Sequence, residues 1–163
     1  SVKLKQSYSA REVASITGLT ARQLQWWDSR QLLSASVSSR PTAAGGFTER
    51  RYSPVDLYEL IALADLRRRG FSVQKIRTVL AVLDVQFGVR LYDALGDVGE
   101  ITLLTDGREI YARTRAGEFF NLLRDPGQPL LVVGGEADLQ GLSSRFRNRR
   151  KKSHSRKSAE RPM

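Results

Sequence analysis

Residues 8–33 read YSAREVASITGLTARQLQWWDSRQLL, and two helix starts stand close together within them. Ser9 followed by Glu12 is a capping box: the serine oxygen accepts the N–H of the third helical residue and the glutamate reaches back to the cap. Val13 and Ile16 give this first helix one apolar face, and Gly18 ends it. Thr20 followed by Gln23 repeats the box. Two short capped helices joined by Thr17, Gly18 and Leu19 have the pattern of a helix-turn-helix. In the second helix, from Ala21 to about Arg30, Leu24 and Trp27 are spaced to pack inward, which leaves Arg22, Gln23, Gln25 and Trp26 nearer solvent. That outer face is rich in donors. Arginine can donate a bidentate pair to guanine, glutamine can exchange two bonds with adenine, and an indole N–H can hold a phosphate oxygen. The same residues also suit a solvated helix face beside an ordinary aromatic core pair, so the flanking sequence has to decide.

Residues 34–52 contain Pro41 and the pair Gly45 and Gly46 among many Ser, Thr and Ala, flanked by Val37, Phe47 and Tyr52. They predict a long hairpin whose arms carry Arg40, Arg50 and Arg51, a basic wing able to reach along a duplex. Ser53, Pro54 and Asp56 start a third helix, in which Leu57, Leu60, Ile61 and Ala64 recur at helical spacing until Gly70. Ser72 caps a fourth, whose Ile76, Val79, Leu80, Leu83 and Phe87 form a stripe ending at Gly88. That stripe is read as core or dimer surface, with no cofactor role.

The chain then changes character. Glu100 to Thr105 and Arg108 to Arg113 are β-rich runs joined by Asp106 and Gly107, read as a two-residue hairpin turn that offers an edge strand for association. Phe119 to Leu123 is short and apolar, Asp125 to Pro129 reads as a turn, and Leu130 to Val133 is β-like again. The fold class expected is α+β, with residues 1–88 as a winged helix-turn-helix followed by two helices, 89–142 as a small β-rich association module, and 143–163 as a disordered basic tail. A module of about fifty residues buries too little surface alone, so packing on the first domain or on a second copy is expected.

Charge follows the same division. The 163 residues carry a net +10, but 1–90 hold 14 basic against 7 acidic residues, 91–142 hold 4 against 9, and 143–163 hold 9 against 1. Two basic pieces around an acidic one suggest a polyanion for the ends and another task for the middle. With no cysteine, and with the one histidine, His154, in the polar tail, no metal site or cofactor is expected. Acidic residues scattered on turns, no phosphate-cradling glycine motif and no serine paired with a histidine argue against an enzyme. The longest apolar runs, such as Val79 to Leu83, fall far short of the ~20 residues of a membrane span, and no signal peptide is read. A soluble, cytoplasmic, nucleoid-associated protein with no membrane partner is the expectation.

The stretch at 8–33, with RRYSPVDLYELIALADLRRRGFSVQKIRTVL at 50–80, resembles the winged helix-turn-helix of MerR-type transcriptional regulators. The resemblance covers residues 8 to about 83. It rests on the paired short helices, Trp26 and Trp27 followed by Asp28, Leu32 with Leu33, Arg50 to Tyr52 before the third helix, and Gly70, Phe71 and Ser72 before the fourth. It implies a recognition helix in the major groove, with Arg22 and Gln23 at base-reading positions and Trp26 at the phosphate-contacting aromatic. Gln25 stands where the family usually has arginine. The candidate DNA-binding set is Thr20, Arg22, Gln23, Gln25, Trp26, Arg40, Arg50, Arg51 and Tyr52. Relatives of this type commonly dimerise through a long helix after the fourth, and metal sensors place cysteines there; Gly88, the β pattern and the missing cysteines make this C-terminal half atypical. The function implied is a homodimeric, sequence-specific transcriptional regulator of double-stranded DNA. Two alternatives stay open: an antitoxin-like autorepressor whose residues 89–142 bind a protein partner, and an excisionase-like architectural factor.

Overall fold

Side-chain hydrogen bonds start the first two helices at the residues whose spacing announces them. Ser9 Oγ accepts the Glu12 N–H at 3.1 Å and Glu12 Oε1 accepts the Ser9 N–H at 3.1 Å, opening α1 (Ala10–Thr17). Thr20 and Gln23 make the same exchange at 3.0 and 2.9 Å, opening α2 (Ala21–Ser29). Between them Gly18 takes φ +78, which a side chain rarely adopts, and its N–H returns to the Ala14 carbonyl at 2.9 Å. The buried Thr17 hydroxyl stitches the turn, donating to the Val13 carbonyl at 2.7 Å and accepting the Leu19 N–H at 3.1 Å. The computed structural model describes residues 5–30, 33, 37–41, 48–131 and 139–142. Within it the chain forms two compact units of an α+β fold, one ending at Arg68 and the other beginning at Arg69.

In the first unit, Ser53 and Asp56 make a third reciprocal cap at 3.1 and 2.8 Å and open α3 (Pro54–Arg68). Helix α1 packs on α2 and α3, and Val13, Leu24, Trp27 and Leu60 are buried. Arg68 Nη1 donates to the Thr17 carbonyl at 3.3 Å, satisfying an orphan acceptor at the end of α1. Three antiparallel strands complete the unit: β1 (Tyr8–Ser9), β2 (Val37–Pro41) and β3 (Thr48–Tyr52), in the order β1-β3-β2. The arms of the wing are therefore strands, while its tip, with Gly45, Gly46 and Phe47, lies outside the described residues. Strand β1 has no counterpart in the sequence reading; Tyr8 and Ser9 become a strand by pairing with Tyr52 and Arg51.

In the second unit, Ser72 Oγ accepts the Lys75 N–H at 3.1 Å and starts α4 (Val73–Val82), which a π-helical turn over Leu83–Phe87 carries on to Gly88. Ile76, Val79 and Leu83 are buried, so the expected stripe supplies core. A 3-10 turn at Leu91–Ala94 leads to five antiparallel strands: β4 (Ile101–Thr105), β5 (Ile110–Thr114), β6 (Phe119–Asn121), β7 (Asp125–Leu130) and β8 (Gln140–Gly141), in the order β7-β6-β5-β4-β8.

Three expectations are corrected here. Thr105 pairs with Ile110, so the β4–β5 connection is the four residues 106–109, closed by Asp106 Oδ1 accepting the N–H groups of Arg108 at 2.9 Å and Glu109 at 2.8 Å. Asp125–Pro129 is strand: the reversal sits just before it, where Asn121 Oδ1 accepts the N–H groups of Leu123 and Arg124, each at 3.1 Å. Strand β7 accommodates Pro126 and Pro129 because it lies at the edge of the sheet, where missing donors cost no ladder bond. The hairpin around Asp106 and Gly107 offers no edge, since β4 lies between β5 and β8 and β5 between β4 and β6. Val132 and Val133 and the basic tail 143–163, with His154, lie outside the described residues. Among the described residues no helix is long and apolar enough to cross a membrane, and no group of acidic, His or Cys side chains could hold a metal ion.

Candidate nucleic-acid interface

Helix α2 separates into the two faces its spacing predicts. Leu24 and Trp27 are buried, at 2% and 4% exposure, and Arg22, Gln23, Gln25 and Trp26 lie on the exposed side. A helix so anchored presents its outer residues on a fixed frame, which base reading requires. The two residues at the cap are partly committed. Thr20 Oγ1 and Gln23 Oε1 both serve the capping box, so Gln23 has its amide N–H donors, and not its oxygen, to offer a base edge. Arg22 and Gln25 stand exposed beside them. Trp26, 37% exposed, carries the Arg30 guanidinium over its ring at 5.2 Å from the centroid. Arg30 was absent from the candidate set, although its position four residues after Trp26 is the spacing at which helical side chains meet.

The wing residues are placed differently. Arg50 Nε donates to Asp28 Oδ2 at 2.8 Å, an ion pair whose side chains are 35% and 25% exposed, and it ties β3 to the last turn of α2. Arg51 points to the other side of β3, where its Nη2 and Nε donate to Ser7 Oγ at 2.8 and 3.2 Å. Tyr52, two residues from Arg50 on the same strand face, has no exposed surface, and its hydroxyl is buried without a hydrogen-bond partner. Burial above all, with the negative charges of Asp28 and Asp56, raises its pKa, and Arg50 opposes them. Tyr52 is thus a core residue that supports the wing, and a buried ring has nothing to present to a duplex. Arg40 stands in β2 opposite Glu49. Lys5, next to the Tyr8 ring, pairs with Glu12 and lowers the pKa of that capping carboxylate, with the Ser9 N–H adding to the effect.

The structure therefore brings Arg22, Gln23, Gln25, Trp26 and Arg30 together on one helix face and turns Tyr52 inward. The protein-family model described as MerR HTH family regulatory protein matches residues 8–83. Those residues are similar to the helix-turn-helix domain of MerR-family regulators. The chain is also 33% identical over 146 residues to proteins named as uncharacterized HTH-type transcriptional regulators, from Mycobacterium bovis and from two strains of Mycobacterium tuberculosis. The match takes in 88% of this chain and 60% of each relative, so the chain spans well under the full length of those proteins. A span of 146 residues is longer than the stretch 8–83 that the family model matches, so the similarity extends into the second unit. A solved transcriptional regulator of the MerR family from Bacillus cereus is 28% identical, with a TM-score of 0.38 over 50% of this chain and 57% of that one.

Proposed function

We propose that this chain is a sequence-specific, DNA-binding transcriptional regulator that lays α2 in the major groove and its basic wing along the backbone or minor groove. The observation that carries the reading is the exposed donor face of α2, held over buried Leu24 and Trp27 inside a stretch similar to MerR-family regulators. Arg22 reads a base edge through its guanidinium fork, and Gln23 adds its amide donors. Gln25 and Trp26 meet the backbone beside them, with Arg40 on the wing. Thr20 fixes the start of the helix that carries them, and the tail 143–163 tethers phosphates without regard to sequence.

The protein works as a cytoplasmic homodimer whose two recognition helices read half-sites about one DNA turn apart. Residues 89–142, with a net charge of −4, hold the protein contacts and stay off the phosphates. Random-oligonucleotide selection on the full chain tests the whole reading. It should return a motif with two-fold symmetry, and recovery of unselected sequence would overturn it.

A further inference from the structure

The ion pair between Asp28 and Arg50 spans 22 residues of sequence and joins the recognition helix to the wing. We propose that Asp28 is a positioning residue for DNA recognition, fixing the angle of the wing through Arg50, and that Arg50 acts as its partner and not as a phosphate ligand. The inference rests on the regulator reading above. A carboxylate in the last turn of a helix opposes the helix dipole, and one on a helix directed at DNA also opposes the phosphates, so Asp28 needs a compensating cation. Arg50 supplies it through Nε, at the root of the guanidinium, where direction is fixed most tightly. On the opposite side of the same strand Arg51 grips Ser7 with two donors. Strand β3, the middle strand of its sheet, is thus held from both sides, one contact reaching α2 and the other the segment that leads into α1. Tyr52, fully buried on the same face of the strand as Arg50, lies close enough to both Asp28 and Arg50 to feel their charges, so the pair rests against the core of the unit.

The test uses the full chain with Asp28→Asn, Arg50→Gln and the double variant, against the duplex returned by selection. Each single change should weaken binding by about three- to tenfold, and the double variant should bind no worse than the weaker single, with the salt slope unaltered. Loss confined to Arg50→Gln, with a slope flatter by about 0.9, would make Arg50 a phosphate ligand and overturn the proposal. Amide hydrogen exchange on the free protein gives a reading independent of DNA: both singles should speed exchange across β2 and β3. Unchanged exchange overturns the clamp whatever the binding result, whereas faster exchange in a protein that prefers no sequence sinks the regulator reading alone. Should the neutral variants unfold, Arg50→Lys keeps the charge and loses the Nε geometry, and wild-type exchange in that variant would overturn the proposal equally.

Discussion

In the three-stranded sheet, β3 is secured through Arg50 and Arg51, by polar contacts to Asp28 and Ser7. In the five-stranded sheet, β4 is buried along its whole length, from Ile101 to Thr105. Burial is proportional to area and indifferent to direction, so it gives stability. A hydrogen-bonded ion pair is directional and, when half exposed, adds little to stability, so its contribution is geometry. Under the clamp proposed above, the first sheet aims a wing, while burial holds the second unit together.

The largest test of that contrast is Leu103→Ala in β4. Leu103 has no exposed surface, and its truncation should cost about 2–5 kcal/mol of unfolding free energy. Urea denaturation followed by circular dichroism measures it, and a loss no greater than that of a surface substitution would break the contrast. Next in size is Arg22→Ala, expected to cost about 1–3 kcal/mol at the preferred site, with relaxed discrimination at one base pair and unfolding unchanged. Competition between operator and random duplex decides it; intact discrimination would remove Arg22 from the base-reading face.

Thr20→Ala tests how far α2 depends on its cap. It should lower stability by roughly 1 kcal/mol, and calorimetry should show the loss directly. The change leaves in place the residue-20 N–H that Gln23 Oε1 accepts, so the Gln23 side chain stays committed and operator preference should hold while stability falls.

The smallest effect is expected from Tyr52→Phe. Removing a buried hydroxyl that has no partner should leave stability near neutral pH within about 0.5 kcal/mol of wild type, or slightly above it. The pH dependence sharpens the test. The folded-state pKa of Tyr52 is raised, so its contribution is complete below the usual phenol value of about 10 and is lost as pH rises through the folded value. The phenylalanine variant should therefore keep more of its stability than wild type in alkaline denaturation series.

What was legible in the sequence was what is decided locally. The boxes at Ser9 and Thr20, the inward pair Leu24 and Trp27 and the α4 stripe follow from residues three or four apart, and they stand where the spacing puts them. What escaped was set by distant partners. Strand β1 exists because Tyr52 and Arg51 lie beside it, and Asp125–Pro129 extends because an edge tolerates proline. At the candidate interface, a row of arginines announces charge but does not show that Asp28 and Ser7, 22 and 44 residues away, accept from Arg50 and Arg51. Tyr52 stands in the candidate DNA-binding set for the same reason: it follows Arg50 and Arg51 in the sequence, and only the fold shows that its ring is buried.

The π-helical turn at Leu83–Phe87 has a consequence for how the chain tolerates changes of length. Such a turn holds one residue more than an α-helical one, which rotates everything after it by roughly 100°. At its end the Phe87 ring meets Phe120 of β6 edge-on at 5.5 Å, and Gln86 Nε2 donates to the Pro126 carbonyl of β7. Deleting a single residue there would let the helix relax into ordinary winding at little backbone cost, yet it would swing both side chains off the sheet. The turn works as a phase adjuster, storing one residue of slack so that the end of a helix and two strands stay in step.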